Sequence, residues 1–278
     1  MEKAKWWWNM KRPEIEEEVK KCDIVLLPIG SIEQHGPHMP TGADYFNSMG
    51  IAELVSQRSG VIIAPPIAYG SHPYFHYGYT GTLPIRALTQ IQLLRDVVKG
   101  LVNNGFTKII IINAHGQWWT LNTAIQEIAL EVNAFMAVAT WQEIARPKIE
   151  EVLQTPTRHA DESEASLALY LFPDKIDMSK AVKEGLTAHI DAKRFIKSST
   201  HGGSGYCFCI EAMTAFPQQS KSSVHGVIGD PTLATREKGE KIVDATAGVI
   251  CALIEELQSH FKVGEVPAIK PELKIDYY

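Results

Sequence analysis

The chain alternates short, unbroken apolar runs with longer stretches in which apolar residues recur every three or four positions. Residues 24–29 (IVLLPI) and 108–113 (KIIIIN) are of the first kind, which predicts strands buried on both faces. VIIAPPI after Gly60 and FMAVAT after Ala134 read the same way. Residues 89–104 place Ile91, Leu93, Leu94, Val97, Val98, Leu101 and Val102 on one helical face, and Gly105 stops the pattern. Residues 47–56 and 121–131 are also helical in pattern, the second turning Ala124, Ile125, Ile128 and Ala129 inward. Pro13 followed by EIEEEVKK predicts a short helix opening at the proline. Strands alternating with helices at this spacing predict an α/β fold with a mostly parallel, layered sheet.

Beyond Pro147 the pattern thins. Residues 162–171 read as a helix, and 235–257 as a long amphipathic one carrying Ile242, Val243, Val249, Ile250, Leu253 and Ile254. The Gly/Ser-rich stretch 173–231 has no clear period. No repeat or low-complexity linker divides the chain, so residues 1–278 are expected to form one domain. The WWW at positions 6–8 reads as packing or as a contact between copies, packing being the simpler expectation.

Composition narrows the function classes. Apolar residues make up 45% and charged residues 21%, as in an ordinary globular core. A net charge of −5, with no Lys/Arg run, argues against a nucleic-acid or anionic-membrane partner. No apolar stretch approaches a membrane span, and the N-terminus lacks a signal-peptide core. Cys22, Cys207, Cys209 and Cys251 are scattered and read as reduced thiols, so a cytoplasmic protein is expected.

Metal-type side chains gather where these strands end. Glu33 and His35 follow the 24–29 strand in GSIEQHGPHMPTGAD, and their spacing of two turns both side chains one way in extended chain. The glycines and prolines around them favour a return turn that brings back Asp44. His115 follows the 108–113 strand, and parallel strands end at one edge, where ligands bind in such sheets. Carboxylates with imidazoles suit Zn²⁺, Mn²⁺ or Fe²⁺. His159 stands before the helix in RHADESEAS, with Glu162 and Glu164 in its first turn, where acids also serve as capping groups. Taken singly each residue fits a turn or a cap equally well, so the residues alone leave metal site and polar turn both open. H-E-x-x-H, Walker A, G-x-G-x-x-G and C-x-x-C patterns are absent, and HGGSG at His201 lacks the G-x-S-x-G it would serve in an esterase.

Five blocks, LLPIGSIEQHGPHMPTGAD, HYGYTGT, INAHG, HADESEAS and GVIGDPTLATREKGE, occur in that order and together resemble the creatininase (creatinine amidohydrolase) family over nearly the whole chain. The resemblance implies a three-layer α/β sandwich, often a hexamer, and one or two divalent metals per chain (Zn, Mn or Fe) that hydrolyse a small cyclic substrate. It carries the ligand role to Glu33, His35, Asp44 and His115, with Asp44 bridging, and to Glu164 as a fifth. His159 matches an acid/base or substrate-binding histidine. The chain departs from the family pattern at Gln117, where creatininase has an acid, and at Trp118, Asp161 and Tyr79-Thr80-Gly81. These departures point away from creatinine more than from hydrolysis. Tyr74, Phe75, His76, Tyr77 and Tyr79 form a polar-aromatic group that fits either a polyhydroxylated ring or packing. Substrate contacts are therefore expected from His76, Tyr79, Gln117 and Trp118. The resemblance implies metal-activated water opening a ring amide or a cyclic ketone of inosose type, with creatinine or a formamide as the alternative and a non-catalytic metal-binding homologue behind both.

Overall fold

The computed structural model describes residues 3–72, 74–185 and 223–266. The apolar runs become a five-stranded, fully parallel sheet in the order β1-β3-β2-β4-β5. Its strands are β1 (Lys5–Trp6), β2 (Ile24–Ile29), β3 (Ile62–Ile63), β4 (Lys108–Asn113) and β5 (Phe135–Thr140). Pairing of β2 with β4 runs in register from Ile24 opposite Lys108 to Ile29 opposite Asn113. Every residue of both strands is buried, as their unbroken apolar character predicts. The expected VIIAPPI strand shortens to two paired residues because Pro65 and Pro66 offer no N–H to a ladder. Ile67 then rejoins the sheet by an isolated bridge to Ile29.

The helices are α1 (Arg12–Lys21), α2 (Ala43–Ser59), α3 (Ala87–Asn103), α4 (Trp118–Ala129), α5 (Trp141–Ile144), α6 (Arg146–Val152), α7 (Glu162–Leu171) and α8 (Arg236–His260). Alternate strand residues sort them into layers. Ile24, Leu26, Ile110 and Ile112 pack with Ile51 and Val55 of α2 and with Ile242, Ile250 and Ile254 of α8. Val25, Leu27, Ile109 and Ile111 pack on the other face with Leu94 and Val98 of α3 and Leu121 and Ile128 of α4. The result is the expected three-layer α/β sandwich. Several boundaries differ from the sequence expectation: α2 begins four residues before the 47–56 pattern, which brings Asp44 into its first turn, and α4 starts at Trp118. Of the tryptophans, Trp6 is buried and stacks on the half-exposed Trp8 with ring centroids 4.4 Å apart. His201, Cys207 and Cys209 lie outside the described residues. Among the described residues no helix is long and apolar enough to cross a membrane.

The connections run β2–α2–β3 to one side and β4–α4–β5 to the other. The carboxyl ends of β2 and β4 are therefore the switch point at which parallel sheets open a crevice. At the opposite end of the same two strands, the Lys108 ammonium is buried against Asp23 at 2.6 and 2.8 Å. Asp23 also accepts from the Thr107 hydroxyl and the Gly264 N–H. Burial opposes its ionisation, but these donors win and hold the carboxyl below its usual value. A depressed carboxylate stabilises the fold above the unfolded pKa, and the contribution is lost as pH falls through the folded one. Asp23→Ala leaves a buried ammonium without its counter-charge and is expected to cost about 3–5 kcal/mol at pH 7. Urea denaturation should find that deficit shrinking below about pH 4, where the wild type loses the same ion pair.

Candidate metal centre

Four segments, from two strand ends and two helix starts, converge on one buried cluster. Glu33 and His35 follow β2, Asp44 is the second residue of α2, His115 follows β4, and His159 and Glu164 flank the start of α7. All six are at most 7% exposed. Asp44 comes back to the end of β2 because Gly30 has no side chain: a Cβ there would lie 2.5 Å from the backbone N and Cα of Tyr45. The two carboxylates borne on helices sit in first turns, where the positive end of the helix dipole favours them.

Three imidazoles share one arrangement. His35 Nδ1 lies 3.0 Å from the Glu33 carbonyl, His115 Nε2 2.9 Å from the Ser71 carbonyl, and His159 Nε2 2.8 Å from the Gln34 carbonyl. A carbonyl only accepts, so each ring carries a hydrogen on that side and turns its other nitrogen to the carboxylates. His35 Nε2 lies 3.2 Å from Asp44 Oδ1 and 3.5 Å from Glu164 Oε2. His115 Nδ1 lies 2.9 Å from Asp44 Oδ2 and 3.1 Å from Glu33 Oε2. His159 Nδ1 is 3.9 Å from both Glu33 Oε2 and Glu164 Oε2. Asp44 thus gives one oxygen to each end of the cluster. Glu33 Oε1 and His35 Nε2 are buried and face only other members of the cluster, His76 Nδ1 and the Asp44 and Glu164 carboxylates. Imidazole nitrogens and carboxylate oxygens crowded at this spacing are the donor set a divalent cation takes when it displaces the protons between them. Glu33–His35–Asp44, Glu33–His72–His115, Glu33–His76–His159 and His35–His159–Glu164 each bring their donor atoms within 4.8 Å of one another.

The electrostatics agree in direction. Burial disfavours the charged form of His35, yet Asp44, Glu164 and Glu33 push its pKa up to about 10. Burial also opposes ionisation of Asp44 and Glu33, and the imidazoles around them hold both carboxyls low nonetheless. Glu164 goes the other way: burial, reinforced by Asp44 and Asp161, raises it to about 8 against the pull of His35. Burial keeps His159 well below its usual value. In effect protons neutralise the carboxylates where a cation would otherwise do so.

His76, on a 3-10 turn at Tyr74–Gly78, joins the cluster with Nδ1 2.6 Å from Glu33 Oε1. Tyr79 instead spends its hydroxyl on the Ser223 carbonyl at 2.7 Å. Gln117 is fully buried: its NH₂ donates to the Gly30 carbonyl and Asn113 Oδ1, and its Oε1 accepts from the Ser71 N–H. That amide stitches three strand-end loops together and has no hydrogen left for a ligand. Trp118 opens α4 with its ring edge-on to Trp119 at 5.6 Å. Asp161 caps α7, accepting from the N–H groups of Arg158, Ser163 and Glu164. The intervening Ala160 adopts φ 49° and donates its N–H to Glu164 Oε2 at 2.6 Å.

The family profile described as creatininase, creatinine amidohydrolase, matches residues 8–254 and so takes in every residue of the cluster. The chain belongs to the creatininase family. It is 34% identical over 94% of its length to 3-dehydro-scyllo-inosose hydrolase of Thermotoga maritima, covering 86% of that protein. A creatinine amidohydrolase (creatininase) crystal structure shares the fold at a TM-score of 0.75 and 20% identity, over 92% of this chain and 98% of that one. A mutant creatininase of Zn–Zn type superposes at 0.72 with 22% identity, over 92% and 98% of the two chains. This creatininase-family chain also places Ser31 and His72 beside the cluster. His72 follows the third strand-like run as Glu33 and His115 follow the other two, but its Gly/Pro loop gives it no periodic or compositional mark.

Gly30→Ala should push the start of α2 away from the end of β2. The expected loss is about 1–3 kcal/mol, as for other overpacked sites. A fall in the urea midpoint checks it.

Proposed function

We propose that the chain is a divalent-metal-dependent hydrolase that opens a cyclic ketone of inosose type, 3-dehydro-scyllo-inosose or a near relative. The observation that carries the metal site is the shared arrangement of His35, His115 and His159 around the Asp44, Glu33 and Glu164 carboxylates. Divalent ions would be held by Asp44 together with Glu33 and His115 at one end of the cluster and with His35 and Glu164 at the other. Glu164 supplies the acid that Gln117 no longer offers. Zinc is the first metal to try, as in the Zn–Zn relative, with manganese and iron next. The substrate class follows the 34%-identical Thermotoga maritima relative, and creatinine is the runner-up. The reading includes one creatininase-like unit over the whole chain, assembled as a homo-oligomer in the cytoplasm.

A divalent ion held by these residues supplies Lewis acidity, polarising a carbonyl and acidifying water. His159 is the base of the reaction. Burial keeps its imidazole neutral, the Gln34 carbonyl fixes the hydrogen on Nε2, and Nδ1 faces the carboxylates. It takes a proton from water as the water oxygen bonds to the ring carbonyl carbon. The adjacent C–C bond then breaks, and its electron pair leaves on a carbon that a second carbonyl stabilises. His159 returns the proton to that carbon. A cluster this buried keeps bulk water from competing for the same proton.

Metal analysis of purified protein, paired with turnover of 3-dehydro-scyllo-inosose and of creatinine, tests the reading. The expected result is up to two equivalents of zinc or manganese and turnover of the inosose. Glu33→Gln should lose a cation and fall at least about 100-fold in kcat/KM. Turnover of creatinine alone would transfer the reading to the runner-up. A wild type that binds no divalent cation after reconstitution would overturn it.

A further inference from the structure

Asp44 is gripped from behind as well as from the front. The Ser31 hydroxyl donates to Asp44 Oδ2 at 2.7 Å, and His72 Nε2 lies 3.2 Å from the same hydroxyl. A serine has one hydrogen and a carboxylate has none, so the Ser31 hydrogen is committed to Asp44. Its oxygen can then only accept, and His72 must present Nε2–H. All three groups are buried: Ser31 is 0%, Asp44 1% and His72 8% exposed. The His72 ring lies against His115 at a centroid distance of 4.5 Å, so the chain runs beside the cluster and not away from it.

We infer that His72 is a positioning residue: through Ser31 it fixes the plane of the Asp44 carboxylate, so that Oδ1 serves the His35 end and Oδ2 the His115 end. The inference rests on the metal-site reading above. Without the chain, Asp44 is free to turn about its terminal bond, and one end of the cluster loses its oxygen. The property that depends on His72 is therefore simultaneous occupation of both cation positions, more than binding of the first. Glu33 cannot substitute, because its two oxygens are already directed to His76 and His115. The three-membered chain joins a residue after β3 to one after β2 and one at the start of α2.

The test is competition titration of the metal-free protein with Zn²⁺ against a chromophoric chelator, resolving the two binding steps, with urea midpoints confirming that each variant folds. His72→Leu should weaken the second step by about 10- to 100-fold, as other groups that orient metal-binding side chains do, with the first changed much less. His72→Gln, whose amide N–H reaches the Nε2 position, should restore it, while His72→Asn, which reaches only Nδ1, should not. Ser31→Ala should reproduce His72→Leu, and the double variant should be no worse than Ser31→Ala alone, because both act along one path. Several results would overturn the inference: unchanged second binding in His72→Leu, rescue by Asn in place of Gln, or multiplied effects in the double variant. If His72→Leu does not fold, the Gln and Asn variants with Ser31→Ala decide the matter alone. A wild type that binds no Zn²⁺ refutes the metal reading itself. A wild type that binds two ions just as His72→Leu does refutes only the role of His72.

Discussion

A carboxylate removed from water must be compensated, and Asp44 is the group on which that requirement falls hardest. It is 1% exposed, faces His35 with one oxygen and His115 with the other, and is held from behind by Ser31. Every other feature of the site answers this buried charge. His35 and His115 turn their second ring nitrogens toward it because main-chain carbonyls take the hydrogen on the first. Glu33 adds a second buried carboxylate, and the protons that compensate this charge stand where a divalent ion is suited to replace them.

The fold makes this concentration of polar groups tolerable by placing it at one edge of an otherwise apolar sheet. β2 and β4 are buried along their whole length, so their polar ends cannot drift in register without exposing isoleucines. The helix starts of α2 and α7 bring positive dipole ends to Asp44 and Glu164. Ala160 takes a left-handed conformation, rarely adopted without glycine, and so allows His159 on one side and the Asp161 cap on the other to point in different directions. Gln117 contributes differently. Its amide ties the loops after β2, β3 and β4 together, while Glu164 of α7 faces His35 at 3.5 Å.

Much of this was legible in the amino-acid order, for physical reasons that differ by element. Strands such as IVLLPI and KIIIIN declare themselves because burial on both faces leaves no polar positions. Glu33, His35 and His115 could be placed because parallel strands end together. The start of α2 was hidden, since Ala43 and Phe46 pack into a small separate apolar cluster with α7 and not onto the sheet, and the hydrophobic period of the sheet-facing side begins only after them. Gln117 showed in the amino-acid order only as a departure from the family pattern, because its partners at Gly30, Ser71 and Asn113 are brought near by the fold alone. Ser31 and His72 were missed because a serine and a lone histidine in a Gly/Pro loop have no periodic or compositional mark. Only the geometry makes them a chain.

The central claim is that Asp44 divides its two oxygens between two cation positions. Crystals of the zinc-loaded protein, with anomalous difference maps recorded on either side of the zinc edge, address it directly. The account predicts two peaks with Asp44 between them, one contacting His115 and Glu33 and the other His35 and Glu164. A single peak bound without Asp44, or a second ion held by Gln117, would contradict it.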